Sequence, residues 1–154
     1  EILEGFYAVI KKGLKEKLGA VLFQLPPGYK YSEENLKVII NSMDTSFINI
    51  IEFRHKTWWD KKVYQELGNK KITFCGVSYP GLPDEVIVNT ANPYYRFHGV
   101  PKLYYSMYST PFLNNIADTF LSNKKIKKAF LLFNNTATRA ALENAAYLQE
   151  YVEL

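Results

Sequence analysis

Glu52, Arg54 and His55 fall within four residues, and Arg96 and His98 within three, in a chain that holds two histidines altogether. A carboxylate can take or give a proton, a guanidinium can clamp an anion through paired N–H groups, and an imidazole changes charge near neutral pH. Glu52 and Arg54 stand two residues apart, as do Arg96 and His98, and on an extended strand that spacing turns both members of a pair to one face. Two such strands side by side would gather a carboxylate, two guanidiniums and an imidazole in one pocket. In that reading Glu52 and His98 are the candidate catalytic groups, and Arg54 and Arg96 hold a small anionic ligand. The alternative is that Glu52 and Arg54 neutralise each other as a buried ion pair.

Three further groups fit beside them. His55 either joins the binding set or caps a neighbouring carbonyl. Gln24, just ahead of Pro26-Pro27, offers an amide suited to sugar or phosphate oxygens. Asn134 and Asn135 offer two more, although Asn at a strand–helix junction is also a common cap. Glu52, His55 and His98 would make a two-histidine, one-carboxylate metal set, yet no H-x-x-x-H or cysteine pair gives ligand spacing. No cofactor is therefore expected, with a divalent metal as the weaker alternative. The chain has no G-x-S-x-G, G-x-G-x-x-G or Walker A pattern, which argues against a nucleophile-elbow hydrolase and against nucleotide binding through a glycine loop.

These side chains need elements to carry them. Apolar residues at Ile2, Leu3, Phe6, Val9, Ile10 and Leu14 have helical spacing over 2–17. Ala20–Phe23 reads as a short strand buried on both faces, which suits a parallel sheet. Ser32 can cap a helix bearing Leu36, Ile39, Ile40 and Met43, with Glu33 and Glu34 in its first turn. A strand over Phe47–Phe53, a helix over Trp58–Leu67 closed by Gly68, and a strand over Ile72–Val77 follow. Residues 78–92 break the alternation, with Val86–Val88 as at most a short strand. Tyr94–His98 is the next strand, then a tyrosine-rich loop over 103–109, a helix from about Pro111, a strand over Ala129–Phe133 and a helix over Ala137–Tyr151. Repeated strand–helix units predict an α/β fold with a parallel sheet. In such folds ligands bind at the carboxyl ends of the strands. Gln24, Glu52–His55, Ser78, Arg96–Gly99 and Asn134–Thr136 all fall at those ends, while the amino ends carry Gly, Ser, Lys or Pro.

Composition narrows the setting. Of 154 residues, 47% are hydrophobic and 16% aromatic, so the chain can bury a core. The net charge of +4 is a mild basic bias, compatible with an anionic ligand or with nucleic acid. Most lysines stand in pairs at element ends and read as a solvated face. The single Cys75 excludes an internal disulfide. No apolar run reaches the roughly 20 residues of a membrane span, and no signal peptide is visible. A cytoplasmic protein with no membrane partner is expected, its oligomeric state open.

The segments LGAVLFQLPPGY, IEFRHKTWW, GVSYPGLP, YYRFHG and FLLFNNTATRAALENAAYL, in this order and at these distances, resemble the DUF72 (YecE-like) family over nearly the whole chain. The resemblance implies a TIM-barrel-like fold with the strand-end motifs lining a pocket. A (β/α)₈ barrel takes about 250 residues, so residues 1–154 would be one DUF72-type domain lacking its first third, with five of eight strands. A longer protein, or an oligomer that covers the open sheet edges, is then expected. The family's activity is not established, and its likeness to sugar isomerase and endonuclease IV barrels is one of fold. Three functions fit these residues: an isomerase, lyase or hydrolase acting on a phosphorylated or polyhydroxylated compound; a nucleic-acid-processing or nucleic-acid-binding barrel using the lysine runs with Trp58, Tyr104, Tyr105 or Tyr108 as stacking platforms; and a non-catalytic ligand-binding module.

Overall fold

A computed structural model describes residues 2–153. Helix α1 (Ile2–Leu14) buries Tyr7 alone. It ends earlier than its apolar spacing suggests, because Lys15–Lys17 tightens into a 3-10 turn and Lys15 adopts φ 48°. Strand β1 (Val21–Gln24) follows, then α2 (Glu33–Ser42), which buries Leu36 and Ile39. Ser32 caps α2 as expected, its hydroxyl accepting the Asn35 N–H at 3.0 Å. Strand β2 (Asn49–Glu52) is buried at every position. It is shorter than the expected Phe47–Phe53, since Phe47 and Phe53 lie outside the ladder.

The next helix, α3 (Lys61–Asn69), starts at Lys61 and not at Trp58. Its cap is Asp60, whose carboxylate accepts the Lys62 N–H at 2.7 Å. Gly68 lies inside its last turn. Trp58 closes a separate 3-10 turn, Lys56–Trp58, and is wholly buried, its ring stacked on Phe53 at 4.1 Å and its indole N–H donating to the Tyr29 carbonyl at 2.7 Å. Strand β3 (Ile72–Ser78) is again fully buried.

The chain divides into two compact units, one ending at Phe74 and the other beginning at Cys75. In the first, β1 pairs with β2 in parallel from Val21–Asn49 to Gln24–Glu52, and β2 pairs with the first half of β3 from Asn49–Ile72 to Ile51–Phe74. In the second, the rest of β3 pairs with β4 (Tyr94–Phe97) from Cys75–Tyr94 to Ser78–Phe97, and β4 pairs with β5 (Phe130–Phe133). Strand order follows sequence order. Helix α4 (Thr110–Leu121) joins β4 to β5, and α5 (Ala140–Glu153) follows β5. Tyr95, Phe97, Tyr108, Leu113, Ile116 and Leu148 make the core of this unit.

Parallel strands in sequence order with intervening helices give the α/β class that the strand–helix alternation predicts, and the TIM-barrel-like class that the resemblance implies. The β3–β4 connection departs from the repeat. It holds neither helix nor strand, so the short strand considered at Val86–Val88 does not form. His98 lies one residue beyond β4, and α5 starts at Ala140 instead of Ala137.

Candidate functional site

At the carboxyl ends of β1 and β2, register places Gln24 opposite Glu52. Glu52 has no exposed surface. Its Oε1 lies 2.5 Å from Arg54 Nη2, and the same nitrogen donates to Gln24 Oε1 at 2.9 Å. The arginine thus ties together the last residues of two strands. The Glu52–Arg54 ion pair foreseen as an alternative is formed, and it sits on the rim where a parallel sheet offers its ligand groups. His55 caps a backbone N–H and not a carbonyl: its Nδ1 accepts from Thr57 N at 3.3 Å and lies 2.9 Å from Thr57 Oγ1. Thr57 Oγ1 accepts in turn from Tyr31 N at 2.9 Å. The imidazole therefore pins the loop that follows β2.

In the second unit His98 is buried. Its backbone N–H donates to the Ser78 carbonyl at 3.0 Å, and its ring meets Tyr79 edge-on at 5.4 Å. Arg96 is half-buried within β4. Asn134 is half-buried, and its backbone N–H donates to the Phe97 carbonyl at 2.7 Å. Asn135 is fully buried, and its amide nitrogen is used internally, donating to the Ser106 carbonyl at 3.0 Å and to Asn144 Oδ1 at 3.1 Å. Asn144 binds both the N–H and the carbonyl of Tyr108, at 3.0 and 2.9 Å. Asn135 thereby fixes the tyrosine-rich loop, and its buried Oδ1 has no hydrogen-bond partner among the described residues.

Sequence reasoning missed Asp84. Ser78 Oγ donates to Asp84 Oδ2 at 3.0 Å, and the Tyr95 hydroxyl makes a short hydrogen bond to Oδ1. Burial first, and the bond to Asp84 second, push the Tyr95 phenol well above its ordinary value. The loop carrying Asp84 lies tight on β3 at Gly76, where a Cβ would stand 2.6 Å from Tyr95 Cδ2 and 2.9 Å from the Glu85 carbonyl oxygen. Tyr108 closes the cluster, its hydroxyl accepting from Gly99 N at 2.7 Å. The signal in the sequence was slight: an acidic residue in the Pro-Gly-rich break, and a tyrosine on the face of β4 opposite Arg96.

Of the four aromatic residues considered as stacking platforms, Trp58 and Tyr108 are buried at 0% and 7% exposure, while Tyr104 and Tyr105 are exposed. Lys102 Nζ lies 4.2 Å from the Tyr105 ring centroid. Among the described residues, no group of three or more His, Cys, Asp and Glu side chains is arranged to hold a metal ion. Among the same residues, no helix is long and apolar enough to cross a membrane.

The family described as "Protein of unknown function DUF72" matches residues 1–154. The crystal structure of a DUF72 family protein from Thermotoga maritima is similar at 27% identity with a TM-score of 0.86, over 98% of this chain and 64% of that one. Two crystal structures of a DUF72 family protein from Enterococcus faecalis are similar at 22% and 23% identity, with TM-scores of 0.80 and 0.79. They cover 99% of this chain and 64% and 66% of theirs, and speak for the fold alone. The chain spans less than two thirds of the length of these structures. No curated protein matches the sequence.

Proposed function

The chain belongs to the DUF72 family, and on that footing we propose that it binds a small anionic ligand of the sugar-phosphate type at the carboxyl ends of its parallel strands. The observation that carries this reading is the Gln24–Arg54–Glu52 cluster. A buried ion pair stabilises a fold less than apolar side chains of the same volume would. A clamped guanidinium, by contrast, is preorganised to receive a phosphate or carboxylate, because its planar N–H fork is already oriented. Arg54 takes the anion, with Gln24 on the ligand's other oxygens. His55 and Asn135 act through the loops they hold. Where the ligand is turned over, Glu52 is the group that moves the proton, and the protein is an enzyme; where it is not, the same residues make a binding module.

Thermal unfolding with inorganic phosphate and with glucose 6-phosphate tests this. A ligand at a hundred times its Kd adds about 2.7 kcal/mol, a rise of roughly 5–10 °C for a chain of this size. The rise is expected in the wild type and lost in Arg54→Ala. No rise, or an equal rise in the variant, removes the reading. Turnover lost with binding retained in Glu52→Gln separates the enzyme from the binding module. Oligonucleotides that stabilise with a steep salt dependence would transfer the proposal to nucleic acid, a reading from which the burial of Trp58 and Tyr108 subtracts two stacking platforms.

A further inference from the structure

We infer that the cavity at the carboxyl end of β3 is a binding site for a neutral polyhydroxylated ligand of monosaccharide size. Ser78, Asp84, Val100, Met107, Tyr108 and Phe112 wall it, and its volume is about 320 Å³. That lies at the low end of the roughly 300–1,000 Å³ typical of small-molecule sites. The site lies wholly within the unit that begins at Cys75 and uses none of Gln24, Glu52 or Arg54, so it goes beyond the anion reading.

Asp84 is the one charged side chain in the lining among the described residues. A carboxylate has about four lone-pair sites, of which Ser78 and Tyr95 each take one. These two hydroxyls fix its plane and leave acceptor capacity on an exposed side chain that has no cationic partner among the described residues. Ser109 completes the wall at the start of α4, and its hydroxyl makes no capping bond. The first N–H groups of a helix lack intrahelical partners and carry partial positive charge. An anion would meet Asp84 unfavourably, and an ammonium would meet the helix terminus unfavourably. A polyol suits both, donating hydroxyl protons to the carboxylate in charge-assisted bonds and accepting from Ser109 and the helix start. Val100, Met107 and Phe112 supply the apolar surface for the ligand's C–H face. The walls are preorganised: Tyr108 is held through its N–H, its carbonyl and its hydroxyl, and Gly76 lets the Asp84 loop lie close on the strand.

Saturation-transfer NMR with glucose, ribose and myo-inositol tests the site. At least one is expected to bind saturably to the wild type. Asp84→Asn, which keeps a polar group for Ser78 and Tyr95, is expected to weaken that binding by about tenfold to a hundredfold. Met107→Trp fills the cavity from a side chain that is 53% exposed, and should abolish binding without changing the thermal midpoint. If Asp84→Asn does not fold, Met107→Trp decides alone. Wild-type binding in a folded variant, or no saturable binding of any of the three sugars, overturns the inference. Inorganic phosphate titrated in parallel separates the two readings: phosphate without sugar overturns this site and leaves the anion reading standing, and sugar without phosphate does the reverse.

Discussion

Glu52 is wholly buried, and the Arg54 guanidinium lies 2.5 Å from its carboxylate. Removing one partner strands the other in a poorly solvated place, whereas replacing both with apolar groups removes the problem. Glu52→Ala should therefore cost about 3–5 kcal/mol in urea unfolding, and the double change Glu52→Leu with Arg54→Met should recover most of it. A double variant as unstable as the single one would show that the pair is an ordinary prop of the fold. Tyr95 gives a pH-dependent counterpart. Its phenol is held protonated above the ordinary value of 10.0, mainly by burial, while the unfolded chain releases that proton near the ordinary value. The stabilisation is complete below about pH 10 and is lost as pH climbs from there toward the folded value. Tyr95→Phe should cost about 1 kcal/mol at pH 7, and the gap to wild type should narrow above pH 10. Urea midpoints at pH 7, 9 and 10.5 measure this, and a constant gap contradicts it.

At the scale of elements, small features decide where structure starts. Asp60→Ala should cost about 1 kcal/mol through loss of the α3 cap, read as a shift in denaturant midpoint without a change in slope. Gly76→Ala should cost about 1–3 kcal/mol, because the new methyl meets a buried ring and a backbone oxygen that cannot both retreat. These two residues also mark where the sequence was legible and where it was not. The strands could be read because a parallel ladder buried on both faces leaves a run such as Ile72–Val77 almost unbroken by polar residues. Trp58 continued the apolar spacing of α3 and so hid the Asp60 cap just after it. Same-face spacing exposed the Glu52–Arg54 pair, since a strand fixes that relation locally. Asp84 stayed hidden because its partners Ser78 and Tyr95 stand 6 and 11 residues away across a segment with no periodicity. The role of His55 was open between ligand binding and a carbonyl cap, because nothing local announces that Thr57 supplies both groups it meets.

For the molecule as a whole, the outermost strand matters. Among the described residues β5 pairs with β4 alone, and Leu132 on it is 36% exposed. An apolar edge of this kind is a template for a further chain, and lysine on an edge is the usual remedy. Leu132→Lys should slow the growth of light scattering on heating at fixed concentration, and an unchanged rate would place the liability elsewhere. The two tryptophans, Trp58 and Trp59, are neighbours, and both belong to the unit that ends at Phe74. Tryptophan emission from this protein is therefore expected to be a local signal, with a blue-shifted contribution from the wholly buried indole of Trp58 stacked on Phe53. It reports one unit directly, and by itself says nothing of a cavity whose lining contains tyrosine and no tryptophan. Melting curves taken from tryptophan emission and from tyrosine ellipticity would superpose for a single cooperative transition; curves that separate would show that the surroundings of the two tryptophans do not unfold in step with the rest of the chain, with no label added.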